Sequence, residues 1–133
     1  MAEAEKAQLR ILVLDDHVDV AQGIAEILDL FGFDVVLAHD GPSAIAAYNN
    51  NAIDIGLFDI RMPGMNGVEA FLEIKRQHSD AKIIMMSGYA DDDLITCALE
   101  NGARGLLAKP FDPDGMLDKV NEIVGESALL APH

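Results

Sequence analysis

The residue best placed to do chemistry is Asp59, which ends the apolar run from Ile53 to Phe58. Pro63, Gly64 and Gly67 follow, and these residue types break regular secondary structure. The pattern predicts a buried strand that carries Asp59 at its carboxyl end, followed by a loop. Open α/β sheets place their binding sites at this edge. An aspartate after a strand is also common as a turn residue or helix cap, so its assignment depends on the rest of the chain.

Other polar side chains follow apolar runs elsewhere in the chain. They are Asp15 and Asp16 after residues 11–14, Ser87 after residues 83–86, and Lys109 after residues 106–108. Because the carboxyl ends of parallel strands share one edge of a sheet, these groups and Asp59 are expected to converge on one cleft.

This set of groups is suited to phosphoryl transfer. Three neighbouring carboxylates repel one another unless a cation joins them, and oxygen ligands favour Mg²⁺ or Mn²⁺. An aspartate can attack phosphorus as a nucleophile and form an aspartyl phosphate. Lys109 would bring positive charge to the phosphoryl oxygens, and the hydroxyl of Ser87 could donate a hydrogen bond to them.

Strand-like and helix-like segments alternate five times, which predicts a parallel sheet with right-handed crossovers and helices on both faces. Five short strands favour a doubly wound, flavodoxin-like α/β fold with strand order 2-1-3-4-5 and five flanking helices. In that order, Asp15, Asp16 and Asp59 flank the point where the strand order reverses. The predicted strands are residues 11–14, 33–38, 53–58, 83–86 and 106–108, and the predicted helices begin near residues 18, 41, 66, 91 and 112.

Four segments, in order and spacing, resemble a response-regulator receiver domain, the phosphoacceptor half of two-component signalling. The resemblance covers about Arg10 to Val124, which is nearly the whole chain. The segments are Leu14-Asp15-Asp16, residues 59–67, Met86-Ser87-Gly88 and Lys109-Pro110-Phe111.

The resemblance implies a role for each site residue. Asp59 would be the phosphoacceptor and Asp16 a direct Mg²⁺ ligand. Asp15 would hold the metal through water, and the backbone carbonyl of Arg61 would be a further ligand. Such a domain is expected to catalyse only its own phosphorylation and dephosphorylation, so it is not an enzyme acting on a separate substrate.

The resemblance also implies how the phosphoryl group is held and where it comes from. Ser87 and Lys109 would bind it, and the bond between Lys109 and Pro110 is expected to be cis, since X–Pro bonds adopt this isomer at modest cost. The phosphoryl donor would be a sensor histidine kinase or a histidine phosphotransfer protein. A downstream protein would then read the surface formed by helix four, strand five and helix five.

One position departs from the family pattern. Receivers usually carry an aromatic residue three positions before the strand-five lysine, and here that position is Leu106. A leucine is expected to stay buried in both states, without an inward–outward rotamer switch. Tyr89, two residues after Ser87, is the candidate substitute, and the response is expected in the loop from Ser87 to Asp93.

Other readings of the same residues remain open at this point. The chain could be a degenerate receiver that acts as a phosphorylation-independent interaction module. A haloacid-dehalogenase-like phosphatase is disfavoured, because that family usually has a second acid where this chain has Arg61. A flavodoxin-like cofactor carrier is disfavoured by the absence of Trp and of a phosphate-cradling loop after strand one. The histidines show no ligand spacing and are expected at surface or loop positions, although His17 borders the acidic pair.

Length and charge limit the remaining choices. The chain has 133 residues, enough for one domain but too few for two. We predict an extension at residues 1–9, a receiver domain at 10–125 and a tail at 126–133, and thus either a stand-alone regulator or an excised receiver. A net charge of −14 argues against direct binding to nucleic acid. With one cysteine, no signal-peptide pattern and no membrane-length apolar run, a cytoplasmic location is expected.

Overall fold

The computed structural model describes residues 9–88, 92–110 and 112–130, which form one five-stranded sheet with helices on both faces. The strands are β1 (Arg10–Leu14), β2 (Asp34–Ala38), β3 (Ile55–Asp59), β4 (Ile83–Ser87) and β5 (Gly105–Ala108). The helices are α1 (Val18–Leu30), α2 (Gly41–Asn50), α3 (Gly67–Gln77), α4 (Asp92–Glu100) and α5 (Pro113–Leu130).

The sheet is parallel throughout and has the order β2-β1-β3-β4-β5, which confirms the doubly wound, flavodoxin-like fold predicted from the sequence. Its register brings the strand ends level with one another. Leu14 pairs with Phe58, Asp59 pairs with Met86, and Ser87 pairs with Ala108. The polar residues at or just after these positions therefore lie along one edge of the sheet.

The strands alternate between two hydrophobic layers. In β1, Ile11 and Val13 pack into the layer covered by α1 and α5, whereas Leu12 and Leu14 pack into the layer covered by α2, α3 and α4. All four side chains have no solvent-exposed surface. A strand buried on both faces needs apolar residues at successive positions, and this is why β1 reads as an unbroken run.

Gly56 lies inside β3, where a glycine normally weakens a strand. A Cβ atom at this position would lie 2.8 Å from the ring of Phe58 and 3.1 Å from the side chain of Ile83. The absence of a side chain at Gly56 therefore makes room for the fully buried ring of Phe58. This close contact explains why a glycine occupies the interior of the strand.

The loops at the sheet edge end in capped helices. Asn66 and Glu69 form a reciprocal capping box at the start of α3, as their spacing predicted. The carboxylates of Asp40 and Asp112 accept hydrogen bonds from Ser43 N–H and Gly115 N–H in the first turns of α2 and α5. These caps fix where each helix starts relative to the strand that precedes it.

Helix α5 is longer than the sequence pattern predicted. It continues through Gly125 to Leu130, where a tail beginning at residue 126 was expected. A single glycine costs a helix only about 1 kcal/mol, and the residues that follow Gly125 include good helix formers such as Glu126, Ala128 and Leu129.

The prediction that Leu106 stays buried is wrong, because its side chain is 36% exposed. Strand β5 is one of the two edge strands of the sheet, and its alternation places Leu107 in the core beside α5. Leu106 therefore points to the opposite face, at the margin of the sheet. Tyr89, the predicted substitute for the missing aromatic residue, lies outside the described residues.

Among the described residues, no helix is both long enough and apolar enough to cross a membrane.

Candidate functional site

The acidic residues predicted to converge do so. Asp15 and Asp16 directly follow β1, and Asp59 is the last residue of β3. Together with His17, each offers one ligand atom, and these atoms all lie within 4.8 Å of one another. Asp15 is completely buried and Asp59 is 4% exposed, so water solvates these two carboxylates poorly.

Lys109 brings a positive charge to these carboxylates. Its ammonium nitrogen lies 2.6 Å from Oδ2 of Asp15 and 3.4 Å from Oδ1 of Asp59. The backbone N–H of Lys109 donates to the carbonyl of Ser87, and the Lys109–Pro110 peptide bond is cis, the isomer predicted from the sequence. The lysine side chain at the end of β5 therefore reaches Asp15 after β1 and Asp59 at the end of β3.

Burial and charge repulsion perturb the phosphoacceptor candidate. Burial, followed by repulsion from Asp15, raises the pKa of Asp59 above its usual value, although Lys109 opposes this shift. Burial by itself would lower the pKa of Lys109, but its hydrogen bond to Asp15 and its attraction to both carboxylates outweigh burial and raise that pKa. The lysine is therefore a firmly held cation, while Asp59 carries a charge that the site accommodates poorly.

Asp15 is held in place by its neighbours. Its Oδ1 accepts a hydrogen bond of 2.9 Å from the backbone N–H of His17. Its own N–H donates to the carbonyl of Ala38, and its carbonyl lies 2.9 Å from Nδ1 of His39. These contacts tie the end of β1 to the loop after β2, so the carboxylate has little freedom to turn away from Lys109.

Asp16 is partnered differently. Its Oδ1 is buried but accepts no hydrogen bond from any described residue, and its nearest candidate cation is Nδ1 of His17 at 3.3 Å. A buried carboxylate oxygen without a donor costs free energy unless a cation or water satisfies it. Three carboxylates with such an oxygen among them fit a hard divalent cation, whose preferred ligands are oxygens.

Arg61 and Ser87 occupy the same edge of the sheet. Arg61 lines a cavity of about 650 Å³ that also borders Asp59, Gly88 and Lys109. Ser87 ends β4 and is only 6% exposed. The predicted site residues at the ends of β1, β3, β4 and β5 therefore lie along one edge of the sheet, and the cavity borders Asp59.

Gly67 packs directly against the backbone of the phosphoacceptor candidate. A Cβ atom at this position would overlap the carbonyl oxygen of Asp59. The N–H of Gly67 also donates to the carbonyl of Ile60, which ties the start of α3 to the end of β3. A side chain here would displace backbone atoms, which cannot rotate aside as the end of a flexible side chain can.

We therefore expect Gly67→Ala to lower the free energy of unfolding by on the order of 2 kcal/mol. The matched control is Gly23→Ala, since a Cβ at Gly23 in α1 meets no atom within 4 Å. Helix propensity should make that control about 1 kcal/mol more stable than wild type. Urea unfolding of the three proteins measures both effects, and equal stability of the two variants would contradict the proposed overlap.

The contacts that His17 and His39 make with Asp15 were not predicted from the sequence. The imidazole Nδ1 of His17 lies 3.2 Å from Oδ1 of Asp15, and His39 approaches the carbonyl of Asp15. The available signals were the adjacency of His17 to the acidic pair and the position of His39 directly after β2. Neither signal specifies where an imidazole ring points.

Comparison with known proteins identifies the family. The family model of the response regulator receiver domain matches residues 11–121. The chain belongs to this family. This receiver domain is 36% identical over 114 residues to the chemotaxis protein CheY of Bacillus subtilis, covering 85% of the chain and 95% of CheY.

Two further relatives extend the comparison. The receiver domain is 30% identical to the transcriptional regulatory protein DegU of Brevibacillus brevis over 98% of its own length, but it spans only 56% of DegU. The crystal structure of the CheX–CheY–BeF₃–Mg²⁺ complex from Borrelia burgdorferi matches with a TM-score of 0.82 and 30% identity, covering 87% of the receiver domain and 89% of that chain. The resemblance drawn from four short segments is thus confirmed over most of the chain. Receiver domains are signalling modules of two-component systems, and the acidic cluster of this one fits the magnesium site typical of the family.

Proposed function

We propose that this receiver domain accepts a phosphoryl group on Asp59, in the cytoplasm, from a sensor histidine kinase or a histidine phosphotransfer protein. The supporting observation is the pairing of Lys109 with two buried carboxylates, one of which is Asp59, at the carboxyl edge of the sheet. A lysine in this position neutralises a nucleophilic carboxylate and stands where the oxygens of an incoming phosphoryl group would need positive charge.

The transfer would proceed by in-line attack. A carboxylate oxygen of Asp59 forms a bond to phosphorus while the bond between phosphorus and the donor's imidazole nitrogen breaks, and the imidazole keeps that electron pair. Lys109 then exchanges its contact with the carboxylate for contacts with phosphoryl oxygens. Ser87, at the end of the neighbouring strand, would donate its hydroxyl hydrogen to another phosphoryl oxygen.

The metal would be held by the acidic cluster. Asp16, Asp59 and the backbone carbonyl of Arg61 are the proposed direct ligands, with Asp15 acting through water. Bound Mg²⁺ or Mn²⁺ would neutralise charge on the carboxylates and on the transferring phosphoryl group. The buried Oδ1 of Asp16, which accepts no hydrogen bond among the described residues, supports this proposal, as does the presence of Mg²⁺ with BeF₃ in the Borrelia burgdorferi complex.

The output would be a change in protein contacts, so the domain would act on no substrate besides its own aspartate. We propose that a partner protein reads the face formed by α4, β5 and α5. Exposed apolar side chains on two of these elements support the proposal, namely Leu99 of α4 at 46% and Leu106 of β5 at 36% exposure. Leucine has no polar group that could favour an exposed position in one state and a buried one in the other. We therefore propose that the segment from Ser87 to Asp93, which includes Tyr89, carries the response.

The proposal predicts metal-dependent phosphorylation. Wild-type protein incubated with a small-molecule phosphodonor should gain the mass of one phosphoryl group with Mg²⁺ present and essentially none after chelation. Asp16→Ala should remove the dependence on Mg²⁺ and leave only slow phosphorylation, because it removes the proposed direct ligand. Intact-protein mass spectrometry over a time course provides the measurement.

The control for this experiment is Asp118→Ala, which removes an exposed carboxylate on α5 and should behave as wild type. Phosphorylation of wild type at the same rate with and without Mg²⁺ would contradict the proposed metal site. No phosphorylation under any condition would instead favour a degenerate receiver that acts as a phosphorylation-independent interaction module.

A further inference from the structure

The imidazole of His17 faces the acidic pair Asp15 and Asp16. It occupies the N-cap position of α1, but its side chain makes no capping hydrogen bond. The side chain is 68% exposed, yet its Nδ1 lies 3.2 Å from Oδ1 of Asp15 and 3.3 Å from Oδ1 of Asp16. An exposed imidazole could turn toward solvent, but Nδ1 of His17 instead faces Asp15 and Asp16.

The spacing between His17 and Asp16 matches that of neighbouring ligands bound to one ion. Neighbouring ligands of an octahedral ion, with bonds of about 2.1 Å, lie roughly 3 Å apart. Nδ1 of His17 stands at nearly that distance, 3.3 Å, from Oδ1 of Asp16, the proposed direct ligand. Oδ1 of Asp16 is buried and accepts no hydrogen bond within the described part of the chain. That oxygen, which supports the proposed metal site, places a cation within reach of the imidazole of His17.

We propose that His17 contributes a nitrogen ligand to the metal site, so that the site favours transition ions such as Co²⁺ over Mg²⁺ more strongly than carboxylates alone would. The inference rests on the metal site of the proposed function and extends it to a residue outside the oxygen ligand set. Imidazole nitrogen suits first-row transition ions, whereas Mg²⁺ prefers oxygen and keeps its waters. Removing His17 should therefore lower the affinity for Co²⁺ more than the affinity for Mg²⁺.

The test compares Co²⁺ and Mg²⁺ binding by calorimetry in wild type and in variants at His17 and His39. In His17→Ala, the affinity for Co²⁺ should fall by about tenfold, while the affinity for Mg²⁺ should change by less than about twofold. The variant should fold, since the side chain of His17 caps no helix N–H. The control is His39→Ala, because His39 contacts the backbone carbonyl of Asp15 and no carboxylate.

A second readout reports coordination directly. Co²⁺ bound through imidazole gives strongly shifted proton NMR signals from the histidine ring, and these should be present in wild type and in His39→Ala but absent from His17→Ala. Equal changes in both affinities, or the same shifted signals after removal of His17, would overturn the inference while leaving the phosphoryl site intact. Failure of wild type to bind either ion would overturn both the inference and the metal site of the proposed function.

Discussion

Lys109→Met should lower the free energy of unfolding in metal-free buffer by about 3 kcal/mol, the usual cost of removing one partner from a buried ion pair. The lysine side chain is 20% exposed and contacts Asp15, which is fully buried, and Asp59, which is nearly so. Methionine keeps most of the side-chain volume, so the loss of stability reflects the missing charge more than a change in packing. Chemical denaturation with and without Mg²⁺ provides the measurement, and Mg²⁺ should narrow the difference because it also neutralises the carboxylates.

The control for this prediction is Lys119→Met. Lys119 lies 4.0 Å from Glu122 in a pair on the surface of α5, and such pairs contribute about 0–1 kcal/mol. If the two lysine variants lost equal stability, Lys109 would not be neutralising the buried carboxylates, and its role in phosphoryl binding would lose its electrostatic basis.

Asp59→Asn should raise the free energy of unfolding at neutral pH, without metal, by on the order of 1 kcal/mol, although it removes the proposed phosphoacceptor. Burial and Asp15 raise the pKa of Asp59 in the folded state, so the folded protein holds this proton more tightly than the unfolded chain does. Stability from this group is therefore present at low pH and is lost as the pH rises through the raised pKa. The asparagine variant carries no such charge and keeps its stability.

The stabilisation by Asp59→Asn should accordingly shrink as the pH falls from 7 toward the ordinary aspartate pKa of about 4. It should also shrink when Mg²⁺ is added, since the cation relieves the repulsion in wild type. Thermal unfolding across this pH range provides the measurement, with the exposed Asp118→Asn as the control. A destabilised Asp59→Asn at neutral pH would mean that the attraction to Lys109 outweighs burial and repulsion.

The part of the fold that positions the site could be predicted because it depends on runs of residue types. Strand β1 must be apolar at successive positions because it is buried on both faces, and its run ends where Asp15 begins. The same holds for β3 and Asp59. Parallel pairing then places both carboxylates at one edge without any knowledge of side-chain contacts.

The features that the sequence predicted wrongly, or did not predict at all, depend on local surroundings that a pattern does not encode. Leu106 was expected to be buried because leucine usually is, but an edge strand leaves one face of that position partly uncovered. The orientation of His17 depends on a rotation about its own side-chain bonds beside Asp15 and Asp16. The length of α5 depended on whether Gly125 ends the helix, and sequence alone favoured the wrong outcome.

The central claim is that Asp59 becomes an aspartyl phosphate, and borohydride trapping tests it most directly. Borohydride reduces an acyl phosphate to an alcohol, so a phosphorylated aspartate becomes homoserine, which peptide mass spectrometry locates in the sequence. After treatment with a phosphodonor and Mg²⁺, we expect homoserine at position 59 and unmodified aspartate at positions 15 and 16. Homoserine at Asp15 or Asp16 with none at Asp59, or no homoserine in a protein whose mass shows one added phosphoryl group, would contradict the account.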